Sequence, residues 1–175
     1  MLDTGYWIQD TGYLMLNEYG DIRFTAESTL GKLARWLRIL GFDTVCQAGV
    51  SGERFINSTG ENRILLTRTK KVQGRGKGRK LVFIKSNDPL EQVREVLQAL
   101  GVGAADTRPF SRCTRCNILT RPVDKDTVRS RVPDYVWETN LTFQICSRCR
   151  RIYWPGSHIQ RSYDIIKQFF ETGNV

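Results

Sequence analysis

Two cysteine pairs of identical spacing, Cys113-Thr-Arg-Cys116 and Cys146-Ser-Arg-Cys149, constrain this chain more than any other feature. A CxxC segment folds into a tight turn that points both sulfurs the same way. Two such turns brought together close a tetrahedral all-thiolate shell around Zn²⁺. The 29 residues between the pairs exceed the commonest spacing, so an elaborated zinc ribbon is expected. Two disulfides are the competing use of four cysteines, but that pairing leaves a fifth, Cys46, over and suits an oxidising compartment. A closed shell of Cys113, Cys116, Cys146 and Cys149 leaves no position open for water. The metal is then structural, and any chemistry lies elsewhere.

Charge and size narrow the classes further. The 175 residues carry 27 Lys+Arg against 18 Asp+Glu, a formal net charge of +9, and the excess is spread over both halves of the chain. A basic chain of this kind suits a polyanionic partner such as RNA, although solubility alone also accounts for such a charge. Met1 to Gly20 holds Asp3, Asp10 and Glu18 and no basic residue, the reverse of a signal-peptide start. No apolar run approaches the ~18 residues of a membrane span. Free-thiol ligands fit a reducing interior, so a cytoplasmic location without membrane attachment is expected.

Residues 1–20 read as an N-terminal extension, either an added hairpin or an arm that docks on a partner. Residues 21–106 read as an α/β domain. Asp21 to Thr25 is a short strand, and a helix follows that ends at Gly41, with Leu30, Leu33, Ala34, Leu37 and Leu40 forming one buried stripe. Lys32, Arg35 and Arg38 form a second, exposed stripe, read as an RNA-facing surface or as a merely solvated one. Thr44 to Cys46, Arg63 to Thr67 and Leu81 to Ile84 are further strands, with Cys46 read as a small buried residue. Glu53 to Thr59 and Pro89 to Leu100 are helices. This alternation predicts a mostly parallel sheet, whose crevice lies beyond the carboxyl ends of the strands. Glu27, Thr69, Asn87 and Asp88 sit at those ends. Between the last two strands, Lys70 to Lys80 holds Lys70, Lys71, Arg75, Lys77, Arg79 and Lys80 with three glycines and no acid. Such a stretch cannot bury a core and reads as a mobile cationic loop suited to RNA phosphates. Residues 107–175 hold the ribbon and a terminal helix from Ser157 to Phe170. Tyr153 and Trp154 are placed either to stack on bases or to pack against the metal site. His158, the sole histidine, reads as structural.

Taken together, these segments resemble the PIN-like RNase domain family named for the C-terminus of the Mut-seven exonuclease. The resemblance is carried by Phe24-Thr-Ala-Glu-Ser-Thr-Leu-Gly-Lys-Leu-Ala-Arg-Trp-Leu-Arg-Ile-Leu-Gly-Phe-Asp43, by Arg63-Ile-Leu-Leu-Thr-Arg68 and by Ser86-Asn-Asp-Pro89. Phe110-Ser-Arg-Cys113 with its partner knuckle and Tyr153-Trp-Pro-Gly-Ser-His158 complete it. The family implies a PIN-like α/β domain with a C-terminal zinc ribbon. It also implies metal-dependent RNA hydrolysis at clustered strand-end carboxylates, which hold Mg²⁺ or Mn²⁺ because hard cations need converging oxygen ligands. The family's first Asp matches Glu27 here, its Thr-Arg-Asp matches Thr67-Arg68-Thr69, and its Asp-Asp before proline matches Asn87-Asp88.

Two acids are therefore replaced by neutral side chains, and Glu27, Glu53 and Asp88, with Asp43, remain as candidate ligands. Three readings follow: an impaired relative that binds structured RNA or a ribonucleoprotein such as the ribosome; an active endoribonuclease with a shuffled site at Glu27, Glu53 and Asp88; and a module gripping a protein through its ribbon or N-terminal arm. Mg²⁺ or Mn²⁺ is expected only in the second.

Overall fold

The computed structural model describes residues 22–50, 52–60, 62–73 and 78–171. The N-terminal extension and two of the loop cations, Arg75 and Lys77, lie outside the described residues.

Strand β1 (Arg23–Ala26) leads through a short 3₁₀ turn into helix α1 (Gly31–Ile39). Strand β2 (Asp43–Cys46), helix α2 (Gly52–Ser58), β3 (Ile64–Thr67), β4 (Leu81–Phe83) and helix α3 (Pro89–Leu100) follow. The four strands pair in parallel in the order β2-β1-β3-β4. Leu30, Leu33, Ala34, Leu37 and Leu40 are all buried, so the apolar stripe of α1 is the face that seats the helix on the sheet. With Val93, Val96 and Leu97 of α3 they form the main core, whereas Phe55 and Ile56 of α2 pack with Leu65 and Val72 in a separate cluster. Burying such side chains contributes roughly 1.5–3 kcal/mol each and drives the assembly. Cys46 is half-buried rather than buried, because its strand forms the sheet edge.

The second sheet is antiparallel, in the order β5-β6-β7, from β5 (Thr120–Val123), β6 (Phe143–Cys146) and β7 (Ile152–Tyr153). The long insertion between β5 and β6 folds into a 3₁₀ turn and helix α4 (Asp134–Thr139). Val128, Val132 and Val136 of this segment pack on Phe143, giving the ribbon its own small core. Its Trp137 lies between the Lys125 ammonium at 4.6 Å and the Arg129 guanidinium at 4.5 Å. Helix α5 (Ser157–Glu171) returns to the main core, where Ile166 and Phe169 are buried and Phe169 meets Trp36 edge-on at 6.2 Å.

The two sheets are joined by polar groups at the end of α1. Leu40 and Ile39 accept hydrogen bonds from the backbone N–H groups of Arg108 (2.9 Å) and Phe110 (2.7 Å). Gly41, at φ +97°, permits this approach: a Cβ there would lie 2.3 Å from the Arg108 carbonyl oxygen. Arg112 Nε donates to Gly41 O (2.8 Å). Arg38 donates to Thr44 O through Nε and to Thr114 O through a terminal nitrogen (both 2.9 Å). Its guanidinium, placed by the sequence on an exposed RNA-facing stripe, is half-buried and spans the two sheets. Lys32 and Arg35 are exposed as expected.

Candidate functional site

The two CxxC turns are built alike. The Cys116 N–H donates to Cys113 Sγ (3.2 Å) and the Cys149 N–H to Cys146 Sγ (3.5 Å). Each turn closes with a bond from the following residue back to the first cysteine, Asn117 N to Cys113 O (2.8 Å) and Arg150 N to Cys146 O (2.9 Å). Both closing residues adopt the left-handed backbone, at φ 64° and 60°. All five cysteines are free thiols, and the four Sγ atoms of the knuckles lie within 4.8 Å of one another. The Cys113–Cys149 separation is 3.7 Å. A tetrahedron with ~2.3 Å metal–sulfur bonds has edges of about 3.8 Å, so the Cys113–Cys149 edge fits such a shell and all four sulfurs lie close enough to share one ion.

Their protonation shows what the shell requires. Burial pushes the Cys113 thiol up, but hydrogen bonds from the Tyr153 hydroxyl (3.1 Å) and from backbone N–H groups outweigh it, and its pKa falls to about 6. Cys116 moves the other way, up to about 12, through desolvation, its thiol neighbours and the repulsion of Cys113. Four thiols this close cannot all ionise without a cation among them, and a divalent metal supplies it. The cysteines can thus bind a metal ion such as zinc. Tyr153 is committed to this shell, which decides between the two roles its position left open.

The knuckle also reaches the α/β layer. Asn117 Oδ1 accepts from Thr44 N (2.9 Å), and its Nδ2 donates to Asp43 Oδ1 (2.7 Å). Arg63 holds the other Asp43 oxygen at 2.7 Å. Burial alone would raise the Asp43 pKa, but these two partners keep it below the usual carboxylate range.

The second site lies at the carboxyl ends of β1 and β3, where the strand order reverses and α/β sheets open their crevice. Glu27, 1% exposed, follows β1 there. Its Oε1 accepts from the Thr69 hydroxyl (2.6 Å), and its Oε2 from the Thr67 hydroxyl (2.8 Å) and the Arg68 N–H (3.1 Å). The Gly52 backbone N–H at the start of α2 adds a smaller pull in the same direction. Burial works to raise the pKa, but the Thr69, Thr67 and Arg68 donors, with the Gly52 N–H, together hold the carboxyl below its ordinary value. A carboxylate offers about four acceptor positions, and here three of them have a donor among the described residues.

The other candidates are placed differently. Asp88 is the N-cap of α3, its Oδ1 accepting from the N–H groups of Leu90 (2.9 Å) and Glu91 (3.0 Å). Asn87 Oδ1 accepts from the Arg68 guanidinium. Glu53 is exposed in the first turn of α2. Among the described residues, the four cysteines are the only set of three or more His, Cys, Asp or Glu side chains close enough to share an ion. The structure thus brings Thr67, Arg68, Thr69 and Asn87 around the crevice, but does not gather Glu27, Glu53 and Asp88 into a ligand set.

Cations occupy the adjoining ground. A shallow depression beyond β3 and β4 is lined by Arg68, Lys70 and Lys85 with Gln73, Phe83 and Ile84, and by no acid. Lys85 escaped the sequence reading because a lone lysine after a strand carries no pattern. Lys71 and Lys80 are exposed, and Arg79 is half-buried. Arg79 closes the end of α2, donating to the carbonyls of Ile56 (2.7 Å) and Thr59 (2.6 Å). His158 is exposed and stands edge-on to Trp154 at 6.2 Å, away from the metal shell.

No curated protein and no solved structure matches this chain. A family model described as the Mut7-C RNAse domain matches residues 22–166. That span runs from the residue before β1 into α5 and takes in both the strand-end crevice and the cysteine knuckles. On that match, the chain belongs to the Mut7-C RNAse domain family.

Proposed function

We propose that this protein is an RNA-binding member of its family whose strand-end site has lost its catalytic metal, and that the ion in its ribbon is zinc. One observation carries the reading: both carboxylate oxygens of Glu27 already accept hydrogen bonds from donors within the protein, three in all among the described residues. Mg²⁺ and Mn²⁺ need several converging oxygen anions. Here the neighbours of Glu27 are hydroxyl and amide donors, Asp88 spends an oxygen on capping a helix, and Arg68 places a positive charge beside Asn87. These residues do not fit a hard divalent ion, so no hydrolytic step through one is derived. The cation-lined depression and the exposed lysines around it suit phosphate instead.

RNA is the ligand by family, and a structured RNA or a ribonucleoprotein such as the ribosome is its source in this reading, within the cytoplasm. A second reading, a protein partner at the ribbon, is favoured by Leu119, Tyr135 and Leu141, exposed to 60%, 68% and 84%.

The experiment is an RNA cleavage and binding assay with Mg²⁺ or Mn²⁺. The natural protein should bind RNA with strong salt dependence and release little or no cleaved product. Thr69→Asp with Asn87→Asp should raise Mn²⁺ affinity. Efficient cleavage by the natural protein, abolished in Glu27→Gln, would replace this reading with an active nuclease using Glu27, Glu53 and Asp88.

A further inference from the structure

A second cleft among the described residues lies away from the strand ends. It is a cavity of about 530 Å³ where α1, the knuckles and the start of α5 meet. Five arginines line it, Arg35, Arg112, Arg131, Arg150 and Arg151, and no acidic residue does. They come from four separate stretches of sequence, and only Arg150-Arg151, beside Tyr153 and Trp154, is legible as a basic run next to aromatics.

Two of the five are fixed in advance. Arg112 is tied to Gly41 O and Asn117 O (2.8 and 2.9 Å), and Arg131 donates to Arg150 O (2.6 Å). Arg35, Arg150 and Arg151 are exposed, and no carboxylate faces them from among the described lining residues. Asp43 lies within electrostatic reach of Arg112, but no acid lines the cleft itself beside Arg35, Arg150 and Arg151, and a polyanion there relieves their mutual repulsion.

The backbone adds a second, independent observation. Of the three non-glycine residues with positive φ among the described residues, two line this cleft: Phe110 at 63° and Arg150 at 60°. Glycine would sit at both without strain, and the left-handed backbone is costlier for a bulky side chain. The chain nevertheless keeps an arginine at the knuckle position where glycine is the easiest residue. Trp154, half-buried in the same wall and edge-on to His158, supplies an indole beside the guanidinium groups. Guanidinium groups for phosphates and an aromatic face for a base are the combination that holds single-stranded nucleic acid.

We infer that this cleft is a binding site for single-stranded RNA, contacting phosphates through Arg35, Arg150 and Arg151 and one base through Trp154. The inference rests on the RNA-binding reading above, but places the contact on the metal-knuckle side rather than at the strand ends. The cleft holds one or two nucleotides, so it grips a segment of a longer strand.

The test uses the full chain with its metal and a labelled single-stranded oligouridylate, read by fluorescence anisotropy across salt concentrations. Arg150→Gly removes the side chain where glycine suits the backbone, so weaker binding there cannot come from added strain. Combined with Arg35→Ala and Arg151→Ala, it should lower the slope of log affinity against log salt by about 2, at ~0.7 per lost phosphate contact. Affinity near 0.1 M salt should fall roughly 100-fold, while metal content and thermal midpoint stay at wild-type values. A control set, Lys70→Ala with Lys71→Ala and Lys80→Ala, probes the strand-end cations. If the control set loses binding and the arginine set does not, the cleft inference is overturned and the RNA-binding reading stands. If the natural protein binds no RNA, both fall. Duplex RNA competing as well as the single strand would overturn the single-strand assignment, and an unchanged affinity for RNA alongside lost affinity for an acidic peptide would assign the cleft to protein.

Discussion

The claim that Glu27 is an internal hydrogen-bond acceptor can be tested through Thr69→Val, which keeps the side chain's shape and removes one donor. The lost bond is short, 2.6 Å, and ends on a carboxylate that is 1% exposed. Hydrogen bonds to charged groups contribute about 1.5–3 kcal/mol, and leaving the acceptor buried adds no compensating contact with water. The variant should therefore lose about 1.5–3 kcal/mol near neutral pH, or roughly 4–10 °C in thermal midpoint for a chain of this size. The pH dependence supplies the sharper reading. Glu27 has a native pKa below the ordinary glutamate value, so its stabilisation is fully present above that ordinary value and is lost as pH falls through the native one. Removing a donor to the ionised form raises the native pKa, so the acid limb of the variant moves to higher pH. The gap between the two proteins narrows below both values. Urea melts followed by circular dichroism from neutral pH down to about pH 3 measure this, and Thr69→Ser, which keeps the hydroxyl, should behave almost as wild type. A Thr69→Val protein within about 0.5 kcal/mol of wild type, with an unshifted acid limb, would refute the account of Glu27.

Two further outcomes follow from the knuckles. Metal analysis should find about one zinc per chain, and Cys146→Ser should forfeit most of the ~10 kcal/mol that such a site supplies; hydrogen exchange would then rise across β5–β7 while β1, β3 and α3 stay protected. Asn117→Gly keeps the left-handed turn but removes the bonds to Thr44 and Asp43, so the metal should be retained while the Thr44 amide exchanges faster and stability falls by about 1–3 kcal/mol. It should also raise the Asp43 pKa toward the ordinary range, visible by NMR titration, because one of the groups that lowers it is gone.

What the sequence made legible was whatever repeats or caps locally. The paired CxxC spacing announced the metal shell, and the leucine stripe of α1 announced the face that is buried. The order of strands and helices announced the parallel sheet. Asp88 was readable as a cap, since Asp-Pro-Leu-Glu places an N-cap, a proline at the first helical position and an acid in the first turn. Its acidic character drew attention to catalysis instead. Arg38 and Arg79 were beyond local reading. A guanidinium that bonds carbonyls up to 77 residues away looks, in one dimension, like any other exposed cation. The arginine cleft was hidden for the same reason: α1, the first knuckle, the ribbon insertion and the second knuckle meet only after both sheets dock.

The replacements at the strand ends share a direction. An aspartate in place of Thr69 would put a second carboxylate against a buried one, a repulsion that only a bound cation offsets. The hydroxyl turns that repulsion into a 2.6 Å hydrogen bond, and Asn87 in place of an acid likewise accepts from Arg68 without building negative charge. On the reading proposed above, each change would exchange metal affinity for metal-free stability, the trade expected where strained catalytic groups are relaxed. Such changes leave the sheet, the crevice and the ribbon intact, because Thr67, Arg68 and Thr69 hold Glu27 through donors that require no ion. The lysines and arginines around the crevice and the knuckles are untouched by the exchange. On the proposed reading, a nuclease scaffold altered in this way would keep its means of meeting an RNA backbone and give up the one arrangement that required acids to converge.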